Sequence, residues 1–386
     1  MSTQNTAVDE AIIASGESTL EQATTKAKKK IDELVNVSLN IAVTGKTGSG
    51  KSTFINALRG LHNDDDGAAP TGVTETTMKP TMYVHPGMPN VKIWDLPGIG
   101  SPTFKANKFL KDVNFKIYDF FIILNSERFL ENDIILAKEI RKQKKNFYFV
   151  RSKIDSDILG ERKKKGFDEL KLLAKIREDC QKNLKELGGP KVFLISSFKL
   201  EKYDFEMLQN TLLEELPVHK RSALLQAWPV CSAVSLNKKI KMFNDMIWAV
   251  SIASAGIAAV PVPGLSVAFD TSIVLLFLTR CYFAFGLDDR SLTRLSEKVN
   301  LPVLELRDNS KFAAAIQKKA IITINTGVAV VTLATLEDLL SLLPGVGSAV
   351  AAVLSFASIQ YLLRTGVNEL ATTALKIRKE AGLDTM

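Results

Sequence analysis

The chain has 386 residues, a formal net charge of +8 and three cysteines. Its length allows two or three domains, and its widely separated cysteines, which lack metal-binding spacing, indicate inert thiols in an intracellular protein. The basic residues are scattered without interleaved aromatic residues, which argues against nucleic acid as a partner and favours anionic lipid headgroups.

Residues 1–39 predict a polar start followed by an amphipathic helix. No charged segment followed by an apolar core precedes Ser18, so no secretory signal is expected. Apolar residues recur at helical spacing, namely Leu20, Ala23, Ala27 and Ile31. Lysines cluster near one end of this helix: Lys26, Lys28, Lys29 and Lys30. A solvated helix face and a lipid contact both stay open for this cluster, and the solvated face is the simpler interpretation.

A complete phosphate-binding loop lies between a predicted buried strand at 39–43 and a predicted helix that starts near residue 53. The loop comprises Gly45, Lys46, Thr47, Gly48, Ser49, Gly50, Lys51 and Ser52, and we include Thr53 among the predicted nucleotide contacts. The glycines allow successive backbone N–H groups to point at phosphate oxygens, and the helix adds its positive N-terminal end. Lys51 can reach the β- and γ-phosphates and Ser52 can ligate Mg²⁺. The loop therefore predicts binding of a nucleoside triphosphate with Mg²⁺.

Two later segments are expected to sense the γ-phosphate. Residues 67–77 form a hydroxyl-rich loop suited to a first switch. Four threonines in it compete as the Mg²⁺ ligand, and spacing does not choose among them: Thr71, Thr74, Thr76 and Thr77. A predicted strand at 91–98 ends in an Asp-x-Pro-Gly turn, where Asp95 can hold the Mg²⁺ water shell. The Gly98 amide can bond a γ-phosphate oxygen that is lost on hydrolysis.

A second nucleotide-binding segment follows the aromatic strand predicted at 146–151. Ligands of open α/β sheets lie outside the carboxyl ends of the strands, which places Asp155 within reach of a base. Its carboxylate can accept from both N1–H and the exocyclic amine of guanine, a pair of donors that adenine lacks. The Lys153 stem can lie along the base, with its ammonium tied to the phosphate loop. Ser196 and Ser197 follow another predicted strand and supply a second edge, so the expected ligands are GTP and GDP.

The segment after Gly98 continues Ile99-Gly100-Ser101 and contains no Gln or His to orient an attacking water. Simple GTPases use a Gln for that purpose. We therefore expect slow turnover by the isolated chain, with the missing groups supplied by the switch loop or by a second protomer. A binding module that holds GTP with negligible turnover is the alternative.

Long apolar segments dominate the C-terminal third. Residues 246–269 and 339–363 contain no charge and are long enough to cross a bilayer. Helix-breaking residues interrupt both segments: Pro261, Pro263 and Gly264 in the first, and Pro344, Gly345 and Gly347 in the second. Each segment is therefore predicted to be a helical hairpin that forms a helical core or, alternatively, inserts shallowly into one leaflet. An integral membrane protein with a cytosolic nucleotide domain is a further alternative.

The alternation of strands and helices predicts the fold class and the domains. We expect an α/β P-loop domain with a mainly parallel sheet at 40–220. An N-terminal helical segment at 1–39 and a C-terminal helical domain at 221–386 flank it, and together they are expected to form an all-helical domain from both chain ends.

These motifs together resemble the immunity-related GTPases (IRG proteins), an interferon-inducible family. The resemblance rests on the segments 45–52, 67–73 and 94–100, and it continues through 118–123, 147–157 and 203–205. Lys51 is similar to the lysine of the effector-like members, whereas regulatory members carry methionine there. Two departures stand out: the chain begins Met-Ser and not with the Met-Gly that myristoylation requires, and Ser197 replaces an expected Asn.

The resemblance implies a nucleotide-dependent homodimer or oligomer that forms through the GTPase domain. In that interface Glu75 and the nucleotide ribose hydroxyls would act across the two protomers. With the residues predicted above from the sequence, the expected catalytic set is Glu75, Thr71 and Gly98. The family also implies a cytoplasmic protein that associates peripherally with intracellular membranes and with vacuoles around pathogens, and regulatory relatives as further partners. Ser52, Thr71 and Asp95 are the predicted metal ligands.

Overall fold

The computed structural model describes residues 9, 12, 13, 15–72, 79–100, 105–258, 265–303, 316 and 356–383. The chain divides into two compact units. One is Ser38–Cys231, and the other combines the described parts of Met1–Val37 and Ser232–Met386. The second boundary thus falls at residue 231, later in the chain than the position 220 expected from the loss of strand signals.

The first unit contains a six-stranded sheet in the order β2-β3-β1-β4-β5-β6. Its strands are β1 (Leu39–Gly45), β2 (Thr81–His85), β3 (Met88–Gly98), β4 (Phe120–Asn125), β5 (Asn146–Arg151) and β6 (Val192–Leu194). Among these described strands, the edge strand β2 pairs antiparallel with β3, and the other pairings are parallel. The prediction of a mainly parallel sheet is confirmed.

The helices alternate with these strands and then continue alone. In chain order they are α1 (Leu20–Val35), α2 (Lys51–Leu58), α3 (Ala106–Asp112), α4 (Glu131–Lys142), α5 (Ile154–Glu161), α6 (Glu169–Asn183), α7 (Phe205–Glu215), α8 (Val218–Ala227), α9 (Ala233–Ala258), α10 (Leu265–Ala284), α11 (Asp289–Val299) and α12 (Phe356–Glu380). Short 3₁₀ turns occupy Phe115–Ile117 and Lys185–Leu187. Helices α2 to α8 belong to the sheet unit, and α1 and α9 to α12 to the other unit.

The predicted Asp-x-Pro-Gly turn is wrong, because β3 runs through Gly98 and pairs with β1 along this segment. Val43 pairs with Asp95 and Gly45 with Gly98, so two residues of β3 oppose one residue of β1. Pro97, which lacks the N–H that a regular ladder needs, lies within this irregularity. The segment therefore stays extended, and it keeps Asp95 beside the phosphate loop.

The core of the sheet unit surrounds β4, whose six residues are all buried. A strand covered on both faces is expected to be apolar throughout, as Phe120 to Leu124 are. Aromatic side chains from neighbouring elements meet edge to face around it, for example Tyr118 against Phe121 at 5.4 Å and Phe129 against Phe149 at 4.9 Å between ring centroids. This rigid core fixes the carboxyl ends of the strands.

The second unit packs the N-terminal helix against the C-terminal ones, so the predicted helical domain from both chain ends is confirmed. Ala23 and Ala27 of α1 are completely buried and pack with Ala249, Ile252 and Ala253 of α9. Small side chains on both helices allow their backbones to approach closely. Arg280 of α10, itself buried, donates from Nη2 to the Val35 carbonyl oxygen at 3.1 Å and so ties the C-terminal end of α1 to α10.

The lysines of α1 point away from this buried face. Lys28 and Lys29 are exposed, Lys26 pairs with Glu17 at 3.0 Å, and Lys30 pairs with Glu33 at 3.0 Å. The cluster thus has the arrangement of a solvated helix face.

The two apolar segments differ in how much of them the structure describes. In the first, α9 ends at Ala258 and α10 begins at Leu265, while the predicted breakers at 261–264 lie outside the described residues. In the second, only the part from Phe356 onwards is described, as the start of α12. Among the described residues, no helix combines the length and the apolar character needed to cross a membrane.

Candidate functional site

The phosphate loop joins β1 to α2 through backbone conformations that favour glycine. Gly45, Gly48 and Gly50 have φ values of 142°, 79° and 89°. Gly50 caps α2 in the left-handed conformation, so the amides at the start of that helix stay available to an anion. The sequence motif thus adopts the curled backbone that a polyphosphate requires.

Gly45 is the most constrained of these glycines. A Cβ added to it would lie 1.9 Å from the carbonyl oxygen of Leu124, a backbone atom of β4 that cannot move aside. We expect Gly45→Ala to lower the free energy of unfolding by at least about 2 kcal/mol, because steric overlap adds to the conformational strain. Thermal unfolding measures this loss.

Gly160→Ala is the matched control. Gly160 lies in α5, and an added Cβ meets nothing within 4 Å. This variant should unfold at or slightly above the wild-type temperature. Equal melting temperatures for the Gly45 variant and the wild type would contradict the close approach of β1 and β4.

The predicted phosphate ligands lie where the motif requires them. Lys51 is buried, and its Nζ donates to the carbonyl oxygens of Gly45 at 3.2 Å and Lys46 at 3.3 Å, so its ammonium stays folded over the loop. The Ser49 hydroxyl is buried and has no hydrogen-bond partner within the described residues. A buried, unpartnered hydroxyl in the phosphate loop fits a hydrogen bond to a phosphate oxygen. Thr47 and Thr53 are half-buried in the same loop and helix start.

Two of the three predicted metal ligands are in contact. The Ser52 hydroxyl lies 3.0 Å from Asp95 Oδ2, and Asp95 is buried. Hard oxygen donors at the edge of a phosphate site fit Mg²⁺, directly or through its water shell. Thr71, the third predicted ligand, is exposed. Glu75 and the competing threonines at 74, 76 and 77 lie outside the described residues.

The predicted guanine-binding segment contacts the phosphate loop directly. Lys153 adopts a left-handed conformation with φ 57° at the start of α5, and its Nζ donates to the Gly48 carbonyl oxygen at 2.8 Å. Its Cε would lie 3.7 Å from a Cβ added to Gly50, so the stem runs along the loop. Asp155 follows in the first turn of α5.

The second edge of the base site is held to the first by the backbone. The Ile154 amide donates to the Ile195 carbonyl oxygen at 3.2 Å, which draws the loops after β5 and β6 together. Ser196 and Ser197 come next in the chain and are buried. The structure therefore brings Lys153, Asp155 and the two serines to the same edge of the sheet, while their contacts with a base stay a prediction.

A buried polar network that was not predicted from the sequence supports this arrangement. The Ser152 hydroxyl donates to the Ser49 carbonyl oxygen at 2.7 Å, and its amide donates to the Asn125 carbonyl oxygen at 2.8 Å. Asn125 in turn donates from Nδ2 to Asp133 at 3.1 Å. Burial raises the pKa of Asp133 to about 6, although hydrogen bonds from the Leu130 amide and from Asn125 oppose the increase. The sequence offered one signal for this network, namely the polar Asn125 at the end of the otherwise apolar strand β4.

Lys46 differs from the other loop residues. Its ammonium pairs with Glu127 at 3.1 Å, and its Cγ would lie 3.8 Å from a Cβ added to Gly100. Its side chain therefore bridges the phosphate loop to residues beyond β3 and β4. A contact of Lys46 with nucleotide would come from its backbone.

A phosphate loop, a contact between Ser52 and the buried Asp95, and a Lys-x-Asp segment at one edge of a mainly parallel sheet define a guanine-nucleotide-binding P-loop protein. The sequence model of the Interferon-inducible GTPase (IIGP) family matches residues 5–377. The chain belongs to this family and is a GTPase.

Similar proteins agree with this assignment. Interferon-inducible GTPase 5 of Rattus norvegicus is 37% identical over 368 residues, which cover 94% of this chain and 80% of that protein. Interferon-gamma-inducible GTPase 10 of Mus musculus is 42% identical over 287 residues, covering 73% and 68%. Immunity-related GTPase family M protein 1 of Mus musculus is 33% identical over 287 residues, covering 74% and 66%.

Solved structures with similarity to the chain include a single-residue variant of Aquifex aeolicus Era bound to GDP.AlF4-, at 21% identity and a TM-score of 0.31. This match covers 46% of the chain and 56% of Era. Toc33 from Arabidopsis thaliana in complex with Mg2+ and GMPPNP matches 46% of the chain and 78% of its own length, at 15% identity and a TM-score of 0.31.

Proposed function

We propose that this GTPase turns over slowly as a monomer and is activated by nucleotide-dependent self-assembly on intracellular membranes, where it serves cell-autonomous innate immunity. The observation that carries the proposal is the sequence Ile99-Gly100-Ser101 after Gly98, which lacks the Gln or His that would orient the attacking water. A site complete in nucleotide ligands but incomplete in catalytic groups is suited to activation by a partner protomer.

Hydrolysis would proceed by in-line attack of water, with positioning and charge neutralisation as the sources of catalysis. Lys51 and the loop amides would hold the β- and γ-phosphates, and the Gly98 amide would sense the γ-phosphate. Ser52, Thr71 and Asp95 would hold Mg²⁺, which neutralises phosphate charge when bound. Glu75 of each protomer would act with the nucleotide ribose of the other across the GTPase-domain interface.

The membrane and immune roles are supported by the charge of the chain and by its relatives. The net charge of +8 favours binding to acidic surfaces such as anionic lipid headgroups. The similar proteins described above include interferon-inducible and immunity-related GTPases. Peripheral association from the cytoplasm and contact with regulatory relatives are parts of the same proposal.

Phosphate release at increasing protein concentration tests self-activation. We expect the specific activity at saturating GTP to rise about tenfold from dilute to concentrated protein, which corresponds to ~1.4 kcal/mol in the barrier. Glu75→Ala should bind GTP normally and lose this rise. Asp66→Ala, which removes an exposed carboxylate from the same part of the chain, should retain it.

Constant specific activity across the range would contradict activation by assembly. Negligible phosphate release at every concentration, with intact GTP binding, would favour the GTP-binding switch or scaffold. Adding acidic phospholipid vesicles to the same assay tests the membrane role, since only a membrane-acting GTPase should co-sediment with them in GTP and not in GDP.

A further inference from the structure

The helix that follows the phosphate loop also holds the chain that leads into the first switch. Asn56 lies on α2, five residues after Lys51, and is completely buried. Its Nδ2 donates to the Ala69 carbonyl oxygen at 2.9 Å, and its Oδ1 accepts from the Ala69 amide at 2.7 Å. One side chain therefore satisfies both backbone groups of a residue that is itself fully buried.

Arg59, the residue that caps the C-terminal end of α2, extends this contact. Its Nη1 donates to the Gly67 carbonyl oxygen at 2.9 Å, and its Nε donates to the Val84 carbonyl oxygen at 3.1 Å. The guanidinium also lies 5.2 Å from the centre of the Tyr83 ring. Arg59 follows Asn56 by three residues, so both side chains bind the segment 67–69, and Arg59 also connects this segment to β2.

The strand that Arg59 contacts also lies beside a predicted metal ligand, because Thr81 of β2 pairs with Asp95 of β3. Burial raises the pKa of Tyr83, the negative charge of Asp95 adds to the increase, and the positive charge of Arg59 opposes it. Tyr83 is therefore within electrostatic range of both Asp95 and Arg59. The hydrogen bonds of Asn56 and Arg59 thus connect α2 to the segment 67–69 and to β2, which pairs with β3.

Ala69 lies close in the chain to Thr71, a predicted Mg²⁺ ligand. Thr71 is two residues further on, at most about 7 Å along the chain. Ala69 is buried and fixed, whereas Thr71 is exposed. Because α2 begins at Lys51, the ammonium that reaches the phosphates and the carboxamide that holds Ala69 belong to one rigid element.

We propose that Asn56 and Arg59 are positioning residues that anchor the root of the first switch to the phosphate-loop helix. The anchor sets where Thr71 stands relative to the γ-phosphate. This inference rests on the proposed role of Thr71 at the triphosphate end of the site. GDP has no γ-phosphate, so the anchor supports GTP contacts and contributes little to GDP affinity.

Asn56→Ala tests the anchor. We expect kcat at saturating GTP to fall about tenfold or more, with a similar loss of GTPγS affinity, while the Kd for GDP changes by less than about threefold. A residue that only stabilises the fold would weaken GDP and GTPγS to the same extent. The ratio of the two affinities is therefore the decisive readout.

Asn63→Ala is the matched control. The Asn63 Oδ1 accepts the second bond of Asn56 Nδ2 at 3.1 Å, and its removal leaves both bonds to Ala69 in place. This variant should keep the wild-type affinity ratio and kcat. Arg59→Met, which keeps a long stem and loses the donors to Gly67, should reproduce the Asn56 phenotype in part.

Three results would overturn the anchor: an unchanged kcat and affinity ratio in Asn56→Ala, parallel losses for GDP and GTPγS, or failure of both the Asn56 and the Arg59 variants to fold. The affinity ratio is measured on dilute protein without turnover. It therefore separates failure of the anchor from failure of the proposed self-activation, which would appear as a wild-type activity independent of concentration.

Discussion

Replacing Lys51 with alanine is expected to abolish measurable GTP binding. Lys51 is buried and its ammonium is held by the carbonyl oxygens of Gly45 and Lys46, so it is preorganised for the β- and γ-phosphates. Charge-assisted hydrogen bonds to phosphate are the strong ones, and their loss should weaken binding by about 100-fold or more. Isothermal titration of the purified variant with GTPγS and GDP measures the change.

Lys138→Ala provides the control for the loss of a positive charge. Lys138 is exposed on α4 and pairs with Glu186 at 2.7 Å. Its removal should leave both nucleotide affinities within about twofold of wild type, since exposed ion pairs contribute little. If Lys51→Ala bound GTPγS as tightly as the wild type does, the phosphate site would have to lie elsewhere.

Asp155→Asn is expected to shift the preference from GTP towards xanthosine triphosphate. Xanthine has a carbonyl oxygen in place of the exocyclic amine of guanine, so the amide of asparagine meets an acceptor where the carboxylate met a donor. GTP affinity should fall by about 100-fold, because the asparagine N–H₂ group would face the exocyclic amine of guanine. Two donors then meet, and neither finds an acceptor. Competition binding with the two triphosphates gives the ratio directly.

Asp157→Asn is a demanding control, since it changes another carboxylate in the first turn of α5. Asp157 is half-buried and pairs with the buried Arg151 at 2.7 Å, so its variant should lose stability. Its ratio of GTP to xanthosine triphosphate affinity should stay at the wild-type value. Persistence of the GTP preference in Asp155→Asn would remove the basis for the base site.

Local sequence spacing was sufficient to predict the phosphate loop. Glycine spacing encodes the positive φ values, and the flanking strand and helix follow from apolar patterns on either side. The position of Lys153 was equally predictable, because the carboxyl ends of parallel strands share one edge of the sheet. The contact of its ammonium with Gly48 follows from that shared edge.

Features that depend on pairing between distant residues could not be predicted. The extended Asp95–Gly98 segment is held by its register with β1, and propensity alone predicts a turn at Pro-Gly. The bonds from Ser152 to Ser49 and from Asn56 to Ala69 join residues whose proximity exists only in the fold. A serine or an asparagine carries no local signal of such a partner.

In the helical unit, too, local patterns predicted the helices but not how they pack together. An amphipathic pattern predicted α1 and its apolar face, and the loss of strand signals predicted the C-terminal helices. The alanines that meet in the interface of α1 and α9 have no pattern that selects one helix partner over another. Burial of Arg280, whose pKa falls to about 10 through desolvation, also follows only from the packing.

Titration calorimetry of the wild-type chain with GDP, GTPγS and ATPγS in the presence of Mg²⁺ tests the central claim most directly. The loop at 45–52 and the carboxylate of Asp155 predict saturable heat with both guanine nucleotides and none with ATPγS at the same concentrations. The absence of heat with GDP and GTPγS from folded protein would contradict the phosphate site, and equal affinity for ATPγS would contradict the guanine site.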